Sequence, residues 1–300
     1  MARIAVVGSV NLDLVARVPG LPAPGDTVAA AGLRRVPGGK GANQALAAAR
    51  LGGDVALVAA VGDDATAAEA LALLRAAGVG LDGGRTVAGA PTGHALITVD
   101  DAGETTIVVA AGANAALAVA PGDVAGADAV LTVLEVPDPA VAGAVAHATG
   151  FVVLNTAPPR PVPPGVLARV DLVVANRAEF AAVPGLDAAR TVAVTSGADG
   201  AVLRRGGREV ARAQPPAVTA VDGTAAGDAF TAALALALLD GADDEDALRF
   251  ACAAGALTAT RPGAQPSLPT AAEVAALYPA RTRSATGDRP RSAGGPPCPR

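Results

Sequence analysis

The hydrophobic positions of this chain fall into two alternating kinds of segment. Short β-branched runs at 4–7, 55–61, 129–134, 151–154, 172–174 and 191–194 read as strands. Ala/Leu-rich stretches at 42–50, 65–77, 140–148, 226–239 and 244–260 read as helices. Strands that alternate with helices build βαβ units, so the pattern predicts an α/β protein with a mostly parallel sheet covered on both faces.

Two regions break the rhythm. Residues 11–36 contain Pro19, Pro22 and Pro24 in extended segments without a helix, and 86–109 hold short strands around the turn Asp100-Asp101-Ala102-Gly103. Both read as hairpins or excursions from the main sheet, and together they predict a small β-sheet lid. A third β-rich stretch, 201–221, turns at Arg205-Gly206-Gly207. Residues 279–300 are mostly Pro, Arg, Gly and Ser, too polar to offset their ordering entropy, and are expected to be a disordered tail. The expected organisation is one unit over 1–278, with its lid from about 11–36 and 86–110, followed by that tail.

Composition refines this picture. Hydrophobic residues make up 51% of the chain, yet there is no Trp, one Tyr and four Phe. Small side chains bury little area each, so the core must rely on close approach of helices and sheet. The net charge of −5 gives no electrostatic reason to expect nucleic acid or an anionic membrane. Cys252 and Cys298 are too few for a disulfide framework or a metal cluster, which fits a reducing cytoplasm. The N-terminal residues lack the long apolar region of a signal peptide. Apolar stretches such as 229–239 fall short of the roughly 20 residues that span a bilayer, so a soluble cytoplasmic protein is expected.

Three segments carry candidate chemistry. The first is Val221-Asp222-Gly223-Thr224-Ala225-Ala226-Gly227-Asp228-Ala229-Phe230, leading into a long apolar helix. Small residues at 225–227 allow a ligand close to the backbone, and the first helical amides are unpaired donors that suit an anion. Asp228 beside them suits a base that takes a proton from an attacking hydroxyl. An Asp in a first helical turn also favours the helix dipole without any chemistry.

The second is Pro37-Gly38-Gly39-Lys40-Gly41-Ala42-Asn43-Gln44, a glycine-rich helix entry holding the one lysine among 23 Lys and Arg residues. Coding bias is the plain explanation of that imbalance. The segment is not a phosphate-binding P-loop, because Lys40 is followed by Gly rather than Ser or Thr. It suits a polyhydroxyl ligand, or simply a helix entry with an exposed lysine. The third is Gly8-Ser9-Val10-Asn11-Leu12-Asp13. Asn11 and Asp13 there point the same way at the end of the first strand, where ligands of open sheets bind and where turns also favour Asn and Asp.

Gly78-Val79-Gly80-Leu81-Asp82-Gly83 fits G-x-G-x-x-G, but it follows a helix and leads into a strand, the reverse of a dinucleotide fingerprint. His94 and His147 are isolated and read as structural.

Taken together these residues resemble the ribokinase (PfkB-type) family of carbohydrate kinases over about residues 4–277. The two signatures are 38–44 and 222–230. Further similarity lies in Gly62-Asp63-Asp64, Ala111-Gly112-Ala113-Asn114-Ala115-Ala116-Leu117, Asn155-Thr156-Ala157-Pro158 and Gly263-Ala264-Gln265-Pro266-Ser267. The resemblance implies a three-layer α/β/α fold with a β lid and an ATP-dependent sugar kinase, with ribose as the leading substrate. It implies a sugar set of Asn11, Asp13, Gly39, Lys40, Gly41, Asn43, Glu135 and Asp228, with Asp228 also the base and Ala225, Ala226 and Gly227 the anion hole. Asn176, Glu179, Thr195, Gly197, Gly200 and Gly227 are implied for MgATP, with Glu179 acting on magnesium indirectly. Asp222, Thr224, Thr258, Gly263 and Ser267 are implied for potassium, and pairing of lids implies a homodimer.

Three positions depart from the family pattern. Gly223 stands where Thr is usual, and Val174-Ala175-Asn176 replaces Pro-Asn. The stretch from Asn176 to Thr195, with Pro184 and Gly185 inside it, is short for a full crossover, which predicts a trimmed outer layer there. The competing expectations are a kinase for deoxyribose, fructose or adenosine, a catalytically idle sugar- or nucleotide-binding protein, and, resting only on the misplaced glycines, a dehydrogenase.

Overall fold

The computed structural model describes residues 1–278, and the tail expected over 279–300 lies outside them. The strands are β1 (Arg3–Val7), β2 (Asn11–Arg17), β3 (Gly32–Gly38), β4 (Asp54–Val58), β5 (Ala60–Gly62), β6 (Arg85–Val87), β7 (Gly93–Val99) and β8 (Thr105–Ala110). They continue with β9 (Ala129–Val133), β10 (Phe151–Asn155), β11 (Leu172–Asn176), β12 (Thr191–Thr195), β13 (Ala201–Arg205) and β14 (Arg208–Ala213). The helices are α1 (Lys40–Arg50), α2 (Ala65–Ala70), α3 (Ala72–Ala76), α4 (Asp138–His147), α5 (Pro164–Leu167), α6 (Arg177–Ala182), α7 (Ala226–Leu239), α8 (Asp244–Ala259) and α9 (Ala271–Leu277).

An eight-stranded sheet runs β14-β13-β12-β11-β10-β9-β1-β4. The strands from β12 to β4 are parallel, and β13 and β14 add an antiparallel hairpin at one edge. Successive residues of the central strands fall into two different cores. Ile4, Val6, Ala129 and Leu131 pack on one face with α1, α7 and α8, while Ala5, Val7 and Val130 pack on the other with α4. This explains the unbroken apolar runs: a parallel strand covered on both faces has no solvent side to make polar. Truncating a fully buried side chain such as Leu131 to alanine would cost about 2–5 kcal/mol. Ala229, Ala232 and Ala233 of α7 and Ala251 and Ala254 of α8 are fully buried, as expected of a core built on close approach.

A second sheet, β3-β2-β7-β8, arises from the two segments that break the helical rhythm. Several boundaries differ from the sequence reading. The run 55–61 splits into β4 and β5, which belong to different sheets, and β5 pairs with β6 rather than with the small sheet. The helix expected over 65–77 breaks at Leu71 into α2 and α3. Strand structure after β13 ends at Ala213, where Gln214, Pro215 and Pro216 follow, since proline cannot donate to a ladder. Helix α1 begins at Lys40, two residues early, because protein groups satisfy its first amides. Between β11 and β12 the short α6 and a 3-10 turn at Leu186–Ala188 complete a minimal crossover, so the lean outer layer still joins two parallel strands.

Candidate active site

The parallel strands deliver their carboxyl ends to one edge of the large sheet, the usual ligand edge of an open α/β fold. Ser9 follows β1, Glu135 follows β9, and Asn155, Asn176 and Thr195 are the last residues of β10, β11 and β12. Strand β2 starts there too, with Asn11 and Asp13 buried on one of its faces. Flanking glycines make room for them. A Cβ at Gly38 would lie 2.2 Å from Asp13 Oδ2, and one at Gly93 would lie 2.3 Å from Asn11 Oδ1.

Two helices enter this edge behind small-residue loops, and their N-termini differ. At α1, the Lys40 amide donates to Glu135 Oε2 (3.0 Å), and the same oxygen accepts from Ser9 Oγ (2.5 Å). The Gly41 amide donates to Ser9 Oγ (3.4 Å) and the Ala42 amide to the Ser9 carbonyl (2.9 Å). Protein groups thus occupy the mouth of α1. At α7, the N-cap is Ala225 in the left-handed region (φ 63), with no side-chain cap. Among the described residues it is the one non-glycine with positive φ. Gly223, Ala226 and Gly227 line a cavity of about 600 Å³ shared with Thr195, Gly197 and Gly200. Its walls are otherwise apolar, formed by residues such as Pro215, Val218, Phe230 and Cys252.

Asp228, one residue further along α7, faces α1 instead. Its Oδ2 accepts from Asn43 Nδ2 (2.9 Å) and its Oδ1 from Gln44 Nε2 (3.0 Å). Gln44 Nε2 also reaches Asn155 Oδ1 (3.4 Å), and Asn155 Nδ2 donates to the Val174 carbonyl (3.1 Å). The first turn of α7 therefore stands between an apolar cavity and a compartment of charged side chains.

Electrostatics ties that compartment together. Burial pushes the Asp228 carboxyl up, while Lys40, Asn43 and Gln44 pull the other way. Burial, then Glu135 and Asp228, push Asp13 up to about 7 against the opposing charge of Lys40. Burial alone would lower the Lys40 ammonium, but Asp228, Glu135, Glu179 and Asp13 outweigh it and hold its pKa above the usual value. One cation thus balances a cluster of acids, with the protonation of Asp13 poised near neutrality.

The remaining predicted residues lie around this centre. Asn176 is exposed and Glu179 half-buried, and they bind each other as a capping box, the Asn176 amide donating to Glu179 Oε2 and the Glu179 amide to Asn176 Oδ1, both at 2.8 Å. Asp222 accepts from the Thr224 amide (2.9 Å) and the Gly263 amide (2.8 Å), joining the loop before α7 to the loop after α8. Although Asp222 is half-buried, these bonds and the nearby Arg34 hold its carboxyl below the usual range. The hydroxyls of Thr258 and Ser267 donate to the Ala254 and Ala264 carbonyls rather than to Asp222.

Sequence reasoning assigned no role to Ser9, Gln44, Asn114 or Asn155, although each touches a predicted site residue or its loop. The one available signal was a polar side chain on an apolar face, such as Gln44 among the buried alanines of α1. The cavity wall around Val218 and Cys252 left no such signal.

An open α/β sheet with a small β sheet at its ligand edge, a helix mouth without a side-chain cap on a cavity and a buried carboxylate behind it define a phosphotransferase that acts on a hydroxyl group. Residues 1–271 match the model of the pfkB family carbohydrate kinases, and the chain belongs to that family. It is 34% identical over 296 residues to a ribokinase of Haemophilus influenzae, covering 90% of this chain and 96% of that protein. It is 36% identical over 293 residues to a ribokinase of Bacillus subtilis, covering 92% and 99%. The structure of Arabidopsis thaliana ribokinase complexed with ribose and ATP superposes with a TM-score of 0.83 at 31% identity, covering 92% of this chain and 99% of that one.

Proposed function

We propose that this protein transfers the γ-phosphoryl group of ATP to ribose, giving ribose 5-phosphate and ADP. The observation that carries the reading is the turn at 225–228. Small residues open the mouth of α7 to a nucleotide-sized cavity, while Asp228 is held on the other side by two amides from α1. In this reading the nucleotide occupies the apolar cavity beside Thr195, Gly197 and Gly200. The amides at Ala225 and Gly227 are proposed to face the transferring phosphoryl group and stabilise its charge, joined by the Ala226 amide once it leaves the Gly223 carbonyl to which it donates here (3.2 Å). Asn11, Asp13, Gly39, Lys40, Gly41, Asn43 and Glu135 hold the sugar. The sugar hydroxyl oxygen attacks the γ-phosphorus, its proton passes to the Asp228 carboxylate, and the bond from that phosphorus to ADP breaks.

The residues also fit the two cations expected. Asp222, Thr224, Thr258, Gly263 and Ser267, some through their backbone carbonyls, are proposed as an all-oxygen set that suits a hard monovalent ion such as potassium. An ion held there would fix the loop at the mouth of α7. Among the described residues no group of three or more His, Cys, Asp or Glu side chains could hold a metal ion. Magnesium is proposed to arrive on the ATP phosphates, with Asn176 and Glu179 acting on it indirectly, and would supply charge neutralisation there. No helix among the described residues is long and apolar enough to cross a membrane; the cytoplasmic location is part of the proposal.

ADP formation measured with ribose, deoxyribose, fructose and adenosine, each with and without potassium, tests this reading. Ribose is expected to give the highest kcat/KM, with potassium raising it. Turnover confined to adenosine would overturn the assignment, and so would nucleotide binding with no turnover on any of the four.

A further inference from the structure

The amide of Asn11 can present either an oxygen or an NH2 group to a ligand, and which end faces outward decides what it recognises. Side-chain amides alone do not settle this, but a neighbouring backbone of fixed polarity does. Asn114 is 2% exposed, in the 3-10 turn Gly112–Ala116. Its Oδ1 accepts from the Val10 amide (2.9 Å), and its Nδ2 donates to the Val10 carbonyl (3.1 Å). A backbone N–H cannot exchange places with a C=O, so this pair of bonds locks the Asn114 amide in one orientation. The same Nδ2 then donates to Asn11 Oδ1 (2.8 Å). Gly93 seals the arrangement from β7, because a Cβ there would lie 2.3 Å from both Asn11 Oδ1 and Asn114 Nδ2.

We propose that Asn114 is a positioning residue that turns the Asn11 amide so that its NH2 group, and not its oxygen, faces the sugar. This rests on the reading that Asn11 contacts the sugar. It deepens that reading by assigning the site a polarity. Asn11 contributes a donor on the same face of β2 as the Asp13 carboxylate, which accepts when ionised. A neighbouring pair of this kind recognises sugar oxygens that accept from Asn11 while a hydroxyl proton is donated to Asp13. A deoxy carbon satisfies neither group, and a buried site built for a hydroxyl rejects an analogue lacking it.

The test is a double-mutant cycle of Asn114→Ala and Asn11→Ala, read by ribose Kd from calorimetry together with kcat and the KM for ATP. Asn114→Ala is expected to weaken ribose binding on the order of tenfold, about the worth of one good hydrogen bond. It should leave kcat and the KM for ATP within about twofold, and should add nothing in the Asn11→Ala background. Equal weakening in both backgrounds would overturn the proposal, because Asn114 would then act on the fold at large. Unchanged ribose affinity in Asn114→Ala, with Asn11→Ala weakened, would overturn it while sparing the sugar-site reading. Unchanged affinity in Asn11→Ala would overturn the sugar-site reading itself, and this inference with it. Should Asn114→Ala fail to fold, Asn114→Asp serves in the same cycle with the same outcomes. Its carboxylate still accepts from Val10 but cannot donate to Asn11.

Discussion

Burial and like charge act together on Asp13, whose carboxyl is pushed up to about 7. Because this folded value lies above the ordinary carboxyl value of 3.8, the folded state holds an extra proton between those two values. The stability this contributes is complete below the lower value and is lost as pH rises through about 7. In the proposed sugar-binding role Asp13 acts as an ionised acceptor, so the two effects oppose each other. The kcat/KM for ribose is expected to rise with pH on a limb near 7. In Asp13→Asn that limb should shift, and the variant should melt higher than the wild type at pH 8 and no higher near pH 4. A limb unchanged in the variant would assign the titration to another carboxyl of the cluster. At this scale the motif residues were legible because glycine or other small residues flank them: Lys40 and Asn43 follow Gly38 and Gly39, and Asp228 follows Ala225, Ala226 and Gly227. The groups that orient them were not. Asn114 lies over 100 positions from Asn11, and Gln44 and Asn43 likewise meet Asp228 only through the fold.

Helices α1 and α7 look alike in sequence, each a small-residue loop opening an Ala/Leu-rich helix. What distinguishes them is what other strands bring to their mouths. Ser9 from the end of β1 and Glu135 from the end of β9 occupy the α1 amides, whereas α7 opens on the cavity. No local pattern could reveal this, and the breaks at Ala59 and Leu71 were hidden for a related reason: the apolar composition runs straight through both. The open mouth depends on Ala225 at φ 63, a conformation that costs an L-residue roughly 1–2 kcal/mol. Ala225→Gly is therefore expected to keep stability within about 1 kcal/mol of the wild type. Ala225→Val should lose a further 1 kcal/mol or more, since a β-branched residue tolerates that region poorly, roughly as positive φ always penalises it. Urea unfolding of both variants checks this, and equal stability of Ala225→Val and wild type would contradict it.

Across the whole molecule, the alternation of apolar runs was enough to place a parallel sheet covered on both faces, because strands buried on both faces impose that pattern, and the two regions that break it gave the small second sheet. The use made of the second sheet is less legible. Its edge strand β8 exposes Ile107 (57%), Val108 (62%) and Val109 (50%), a surface that invites pairing with a second copy. We propose a homodimer through this sheet. Sedimentation should then show a dimer in the wild type and a monomer in Ile107→Lys/Val109→Lys, and a monomeric wild type would refute the proposal. The organisation from sheet edge to helix mouth converges on one group, the Asp228 carboxylate. The measurement that tests the account most directly is the turnover of Asp228→Asn beside its ribose affinity. The account predicts a kcat lowered by about 10²–10⁴-fold, the usual worth of a positioned base, with ribose Kd changed only a few-fold. Turnover equal to that of the wild type would remove Asp228 from the chemistry and contradict it.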